Sequence, residues 1–174
     1  PAGRNDEFEG LCLPYAPELY QAMKLVAETG LVCSVHAENN QLLEWHTAQL
    51  IAAKRNDVAA HGESRPPHVE ALAVSTLMTL NQTVGMHLHI APMTSQETID
   101  VFRQFKQAGA KATAETCPQY LFFTEADMER VGPYAKINPP LRKQADVDAL
   151  WDGITDGTLM AVTTDHSPFT VEEK

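Results

Sequence analysis

The chain is poor in cysteine. Its 174 residues include three, Cys12, Cys33 and Cys117. They are widely spaced and form neither a CxxC nor a zinc-finger pattern. A chain of this length buries a sufficient core without disulfides or structural metal. Cys33 lies in an apolar run and reads as a small buried hydrophobe. This usage predicts a reducing, cytoplasmic setting. Basic residues are also scarce: 13 Lys and Arg against 23 Asp and Glu leave a net charge of −10. That deficit argues against nucleic acid or an anionic membrane as the partner. No apolar run is long enough to span a bilayer, and the N-terminus lacks a signal-peptide pattern. There is no GxSxG elbow, no GxGxxG and no P-loop. Serine-hydrolase, dinucleotide and nucleoside-triphosphate chemistry are thereby disfavoured.

What is present is ordinary globular composition, 44% hydrophobic and 21% charged, and the length predicts one domain over 1–174. Pro1 is an unusual first residue and suggests a processed or truncated chain. Residues 1–14 read as loop. Leu19, Met23 and Val26 recur at helical spacing between Pro17 and Thr29, and Gly30 supplies the stop. Leu31–Val35 reads as a short strand ending in His36. A helix follows from Gln41 to Asn56, then a polar loop from Asp57 to Arg65. Pro66-Pro67 opens a helix that runs to Gln82. His87–Ala91 alternates as a strand does, and Thr94-Ser95-Gln96-Glu97 has capping-box spacing. A helix carries Ile99, Phe102 and Phe105 to Gly109. Lys111–Thr116 is a third strand candidate. Residues 118–143 form a long excursion with a short helix near Glu125–Arg130. The last helix, Gln144–Asp156, precedes an apolar strand, Leu159–Val162.

Helix, glycine, short apolar strand and polar tip therefore recur four times, with stops at Gly30, Gly85, Gly109 and Gly157. This alternation predicts an α/β fold with parallel strands and crossover helices. Both a doubly wound sheet and part of a (β/α)8 barrel fit, and four units are about half of a barrel. Parallel strands bring all the tips to one face, where such folds place their sites. His36, Asp165 and His166 are the chemistry-bearing residues there. Histidine and carboxylate from different strands suit a divalent metal or proton transfer.

Several segments, in register across almost the whole chain, resemble a known family. They are Val35-His36-Ala37-Glu38-Asn39, Ser64-Arg65-Pro66-Pro67, Leu88-His89-Ile90-Ala91, Ala114-Glu115-Thr116-Cys117-Pro118-Gln119-Tyr120-Leu121, Lys136-Ile137-Asn138-Pro139-Pro140-Leu141-Arg142 and Thr164-Asp165-His166-Ser167-Pro168. The chain is similar to the cyclic amidohydrolases: dihydropyrimidinase, hydantoinase, allantoinase and dihydroorotase. The Asn-Pro-Pro-Leu-Arg run resembles dihydroorotases, while Glu-Thr-Cys-Pro-Gln-Tyr-Leu leans toward hydantoinases and allantoinases. The resemblance implies a partial TIM barrel, strands five to eight, and metal-assisted opening of a cyclic amide ring. It implies His36 and Asp165 as ligands of a divalent metal, zinc foremost. Asp165 is also implied as the catalytic proton shuttle and Asn138 as a substrate contact.

Three departures accompany the match. Pro92 stands where the family has its strand-six histidine ligand, and proline has no side-chain donor. Gln119 stands where many relatives have histidine. The strand-one His-x-His and the strand-four lysine would fall upstream of Pro1. His89 lies three residues before Pro92, so alternation predicts that it points to the opposite face. His166 is expected to orient Asp165, and Arg65 to form a loop salt bridge or a clamp. Glu38 and Glu115 read as structural polar tips, and His46, His61, His68 and His87 as solvated. Phe102, Phe105 and Trp151 read as core. The enzyme reading stands beside two alternatives: a non-catalytic half-barrel with a structural or assembly role, and a small doubly wound metabolite-binding domain. A half-barrel leaves strand edges open, which predicts a homo-oligomer or association with a missing N-terminal half.

Overall fold

The computed structural model describes residues 13, 15–170 and 172. Of the 1–14 loop reading only Leu13 falls among them, and Cys12 lies outside. The element order alternates as expected. Helix α1 (Ala16–Thr29) precedes strand β1 (Val32–Val35), then come α2 (Asn40–Ala52), α3 (Val58–Glu63) and α4 (Pro67–Val84). Strand β2 (His87–Ile90), α5 (Gln96–Gln107) and β3 (Ala112–Thr116) follow. The excursion holds α6 (Pro118–Phe122), α7 (Glu125–Val131) and a 3₁₀ turn (Gly132–Ala135) before α8 (Gln144–Thr155) and β4 (Ala161–Val162). The four strands lie in the order β1-β2-β3-β4, every neighbouring pair parallel.

Local chemistry accounts for the boundaries. Gly30 and Gly85 end α1 and α4 with φ of 68° and 73°, a left-handed conformation that costs glycine nothing. The segment expected as a polar loop at 57–65 contains α3, because the Asp57 carboxylate caps it by accepting from the Ala60 N–H at 3.2 Å. Helix α5 starts one residue later than the capping-box spacing suggests. Ser95 is its cap, accepting from Thr98 N–H at 3.3 Å, because Thr94 is turned inward onto Glu70. The last strand is shorter than its apolar run. Leu159 is spent on packing (3% exposed) and its N–H donates to Gly153 O.

One face of the sheet is covered by helices. Leu88, Ile90, Ala112 and Ala114 point into it and are buried, against Val74, Met78, Ile99, Phe102 and Leu150 from α4, α5 and α8. Each large side chain buried there contributes about 1.5–3 kcal/mol. Trp151 departs from the core reading: it is 43% exposed, its indole N–H bonds Leu121 O, and its ring meets Phe122 edge-on.

The other face carries the polar chemistry. Ser34 pairs with His89, and His89 with Thr113. Side chains in register share a face and alternate along each strand. Alternation therefore places His36, His89, Thr113, Glu115 and Thr163 together. The expectation that His89 points away is corrected.

Candidate functional site at the strand tips

His36 follows the last residue of β1. Its Nε2 lies 2.9 Å from Glu38 Oε2, so Nδ1 is the nitrogen left for another partner. An imidazole held by a carboxylate on one nitrogen is the arrangement that orients metal-binding histidines. Glu38 is buried, and Arg65 Nη1 donates to the same oxygen at 2.5 Å. Burial pushes the Glu38 carboxyl up. The His36 hydrogen bond and the charges of Arg65, His36 and Arg142 outweigh it, and the net shift is downward. Arg65 is therefore a buried clamp rather than a loop ion pair.

The clamp continues into the Asn138–Arg142 segment. Arg142 Nη1 donates to Arg65 O, its Nε to Thr94 Oγ1 at 3.1 Å, and its Nη2 to Glu70 Oε2 at 3.4 Å. Glu70 is fully buried and accepts from Thr94 N–H at 2.8 Å. Burial pushes its carboxyl up, against the pull of Arg142 and Thr94. Two further bonds pin the same segment: His61 Nε2 lies 2.9 Å from Ile137 O, and the Tyr120 hydroxyl donates to Pro139 O at 2.7 Å. His61 is thus half-buried and engaged, not solvated. Asn138 sits between the two pinned carbonyls, and its own residue is exposed.

A second network crosses three strands. His89 Nδ1 lies 2.7 Å from Thr113 Oγ1 and its Nε2 3.0 Å from Glu115 Oε2. Thr163 Oγ1 donates to the other Glu115 oxygen at 2.7 Å. Sequence reading missed this cluster, although the i, i+2 spacing of Thr113 and Glu115 was its signal. Asp165 lies beyond it, exposed, with φ of 47°, a left-handed conformation that Asp tolerates better than most side chains. His166 is exposed as well and, among the described residues, makes no hydrogen bond to Asp165.

The metal expectation can be tested against this geometry. His36 suits a metal ligand, with one nitrogen oriented and one available. Asp165 follows β4, and β1 and β4 are the outermost strands of the four. Among the described residues no group of three or more His, Cys, Asp or Glu converges, and Pro92 is buried where a third donor was sought. These residues do not make a complete metal site.

A cleft of about 750 Å³ opens beside β1, lined by Met23 and Val26 of α1, Val35, His36, Glu38 and Leu77. Glu38 Oε1 and Asn40 Oδ1 are buried without a hydrogen-bond partner among the described residues, and both residues border this cleft.

Known proteins resemble the chain in sequence and in fold. No family model matches the chain. An allantoinase of Bacillus licheniformis is 32% identical over 158 residues, 90% of this chain and 34% of the relative. A dihydroorotase of Shouchella clausii is 34% identical over 167 residues, 95% of this chain and 38% of the relative. A crystal structure of D-hydantoinase superposes with a TM-score of 0.87 at 25% identity, over 93% of this chain and 36% of that one. L-hydantoinase (dihydropyrimidinase) from Arthrobacter aurescens gives 0.82 at 30% identity, over 87% of this chain and 34% of that one. The chain belongs to the cyclic amidohydrolase family. It spans about a third of the length of the cyclic amidohydrolases it matches.

Proposed function

We propose that this chain carries part of a cyclic-amide hydrolase site, corresponding to barrel strands five to eight. Elements outside the chain would complete it. The substrate class is a hydantoin, dihydropyrimidine, allantoin or dihydroorotate ring, and the reaction is hydrolysis of its C–N bond. The observation that carries the reading is the set of parallel strands whose polar ends hold His36 and the His89–Glu115–Thr163 cluster on one face, with Asp165 following the last strand. The clamp that fixes the Asn138 segment beside them supports it.

In this reading Asp165 accepts the proton of the attacking water and delivers it to the leaving nitrogen. Asn138 contacts the amide, and Glu38 orients His36. The family's divalent ion, zinc foremost, would take His36 Nδ1 and Asp165, with the remaining ligands from outside the chain. The open edge of β1 supports such completion. Leu31 and Val32 are 68% and 67% exposed, the neighbouring cleft includes Met23, Val26, Val35 and Leu77 in its lining, and unpaired strand edges recruit further strands. The partner is a second copy or a complementary segment.

A second reading, a non-catalytic half-barrel, is favoured by one observation: Pro92 occupies the expected ligand position and is buried there.

The deciding experiment combines metal analysis, sedimentation and ring-opening assays on hydantoin, dihydrouracil, allantoin and dihydroorotate. The hydrolase reading expects an associated species with bound ion and turnover that Asp165→Asn abolishes. A stable monomer at micromolar concentration holding less than about a tenth of an equivalent of metal, with no turnover of any ring, overturns it.

A further inference from the structure

A second pair of imidazoles lies outside the strand-tip site. His46 is on α2 and half-buried; His68 is in the first turn of α4 and exposed. Their Nε2 atoms are 3.1 Å apart, with ring centroids at 5.2 Å and planes inclined at 51°. Along the sequence both read as solvated, since nothing local relates residues 22 positions apart.

The pair is held by its framework. Asn39 N–H donates to Val69 O at 2.9 Å, tying the start of α2 to the first turn of α4. The Asn39 side chain caps α2 by accepting from Leu42 N–H at 3.0 Å. Leu43 is 4% exposed and anchors α2 inward. Trp45 packs edge-on against the His46 ring with centroids 4.9 Å apart. Two stiff elements, joined by a backbone bond, therefore point two imidazole nitrogens at each other.

We propose that His46 and His68 form a two-imidazole binding site for a late first-row divalent ion, with water completing its coordination shell. Neutral imidazole suits Zn²⁺, Ni²⁺ and Cu²⁺, whereas Mg²⁺ and Ca²⁺ require oxygen ligands. Metal–nitrogen bonds of about 2.0–2.1 Å to two atoms 3.1 Å apart subtend about 100° at the ion. That angle lies between square-planar and tetrahedral values. Burial pushes the His46 pKa down, and the charge of His68 pushes it the same way. The unprotonated form that binds metal is thereby favoured. No third His, Cys, Asp or Glu joins the pair among the described residues. The ion is consequently exchangeable and solvent-facing, unlike a closed four-ligand structural site.

Zinc chloride titrated calorimetrically into the full chain tests this. The comparison proteins are His46→Gln, His68→Gln and His36→Gln, each checked for native circular dichroism. His68→Asn serves as a further variant should His68→Gln not fold. One zinc-binding event is expected to survive His36→Gln. It should weaken about a hundredfold in each of the other two variants, since losing one tethered ligand loses its effective concentration. Sub-stoichiometric Cu²⁺ should broaden the His46 and His68 ring resonances first. Zinc affinity unchanged by His46→Gln and His68→Gln, or no zinc binding by His36→Gln, overturns the assignment. The strand-tip proposal is read separately through His36, so either can fail alone.

Discussion

Arg65→Met removes the centre of the buried clamp. Arg65 and Glu38 side chains are 9% and 1% exposed, and one guanidinium nitrogen donates to Glu38 Oε2 at 2.5 Å. Among the described residues the only other side chain bonded to that carboxylate is His36, on the same oxygen, and Oε1 has no partner. Without Arg65 a buried carboxylate faces a single imidazole. Breaking a buried ion pair from one side costs about 3–5 kcal/mol. With a urea m-value of about 2 kcal/mol/M, a loss of about 4 kcal/mol moves the midpoint by about 2 M.

The pH dependence gives the sharper check. The folded Glu38 carboxyl titrates below its ordinary value. It contributes stability that is fully present above the unfolded pKa of about 4.3 and is lost as pH falls through the folded value. Without Arg65, burial dominates and the folded value rises. The deficit of the variant is therefore largest at neutral pH and shrinks as pH falls from the variant's raised folded value towards about 4.3, where the unfolded chain takes up the proton as well. Urea denaturation followed by far-UV circular dichroism from pH 4 to 8 measures it. A deficit under about 1 kcal/mol at pH 7, or an equal deficit at pH 4 and pH 7, would refute the reasoning. A double-mutant cycle with Glu38→Gln should show coupling, the double variant losing less than the sum of the singles.

Other consequences follow from the same contacts. Asn81 is buried, and its amide accepts from Met86 N–H at 2.9 Å and donates to Met86 O at 3.1 Å. Asn81→Ala should cost about 2 kcal/mol in thermal or urea denaturation, since two backbone groups lose their partner. Phe102 is fully buried, and Phe102→Ala should cost about 3–5 kcal/mol by the same assay. Burial holds the His61 pKa down, against the pull of the Ile137 carbonyl. The unfolded chain then takes up that proton first. Stability should fall as pH drops below about 6.5 towards the folded value, and His61→Gln should flatten that part of the profile.

Much of the architecture was legible along the chain. The apolar stripe of α5 and the glycines at 30, 85, 109 and 157 are local signals, and local signals set helix and strand positions. Where expectation and structure part, a distant group intervened. Thr94 left its capping position because the Glu70 carboxylate, 24 residues away, binds it. Helix α3, six residues long, was hidden by its short length, and Trp151 lies partly exposed with its indole N–H bonded to Leu121 O. The candidate site was legible in kind rather than in arrangement. His36, Asn138 and Asp165 stand out by residue type at strand and loop ends. The pairing of His89 with Thr113 and Glu115 depends on strand register, which no single strand contains.

The sequence alone determined the alternation of helices with parallel strands, the polar ends of those strands and the family to which the pattern belongs. These follow from periodicity, turn residues and ordered motifs. Only the tertiary structure decided which groups meet. It turned His89 onto the face of His36, closed Arg65 on Glu38 across 27 residues and Arg142 on Glu70 across 72. It also set His36 and Asp165 just past the ends of the two outermost strands of the four. Such pairings depend on register, crossing geometry and the burial that makes an unpartnered charge costly, and those exist only once the chain has packed.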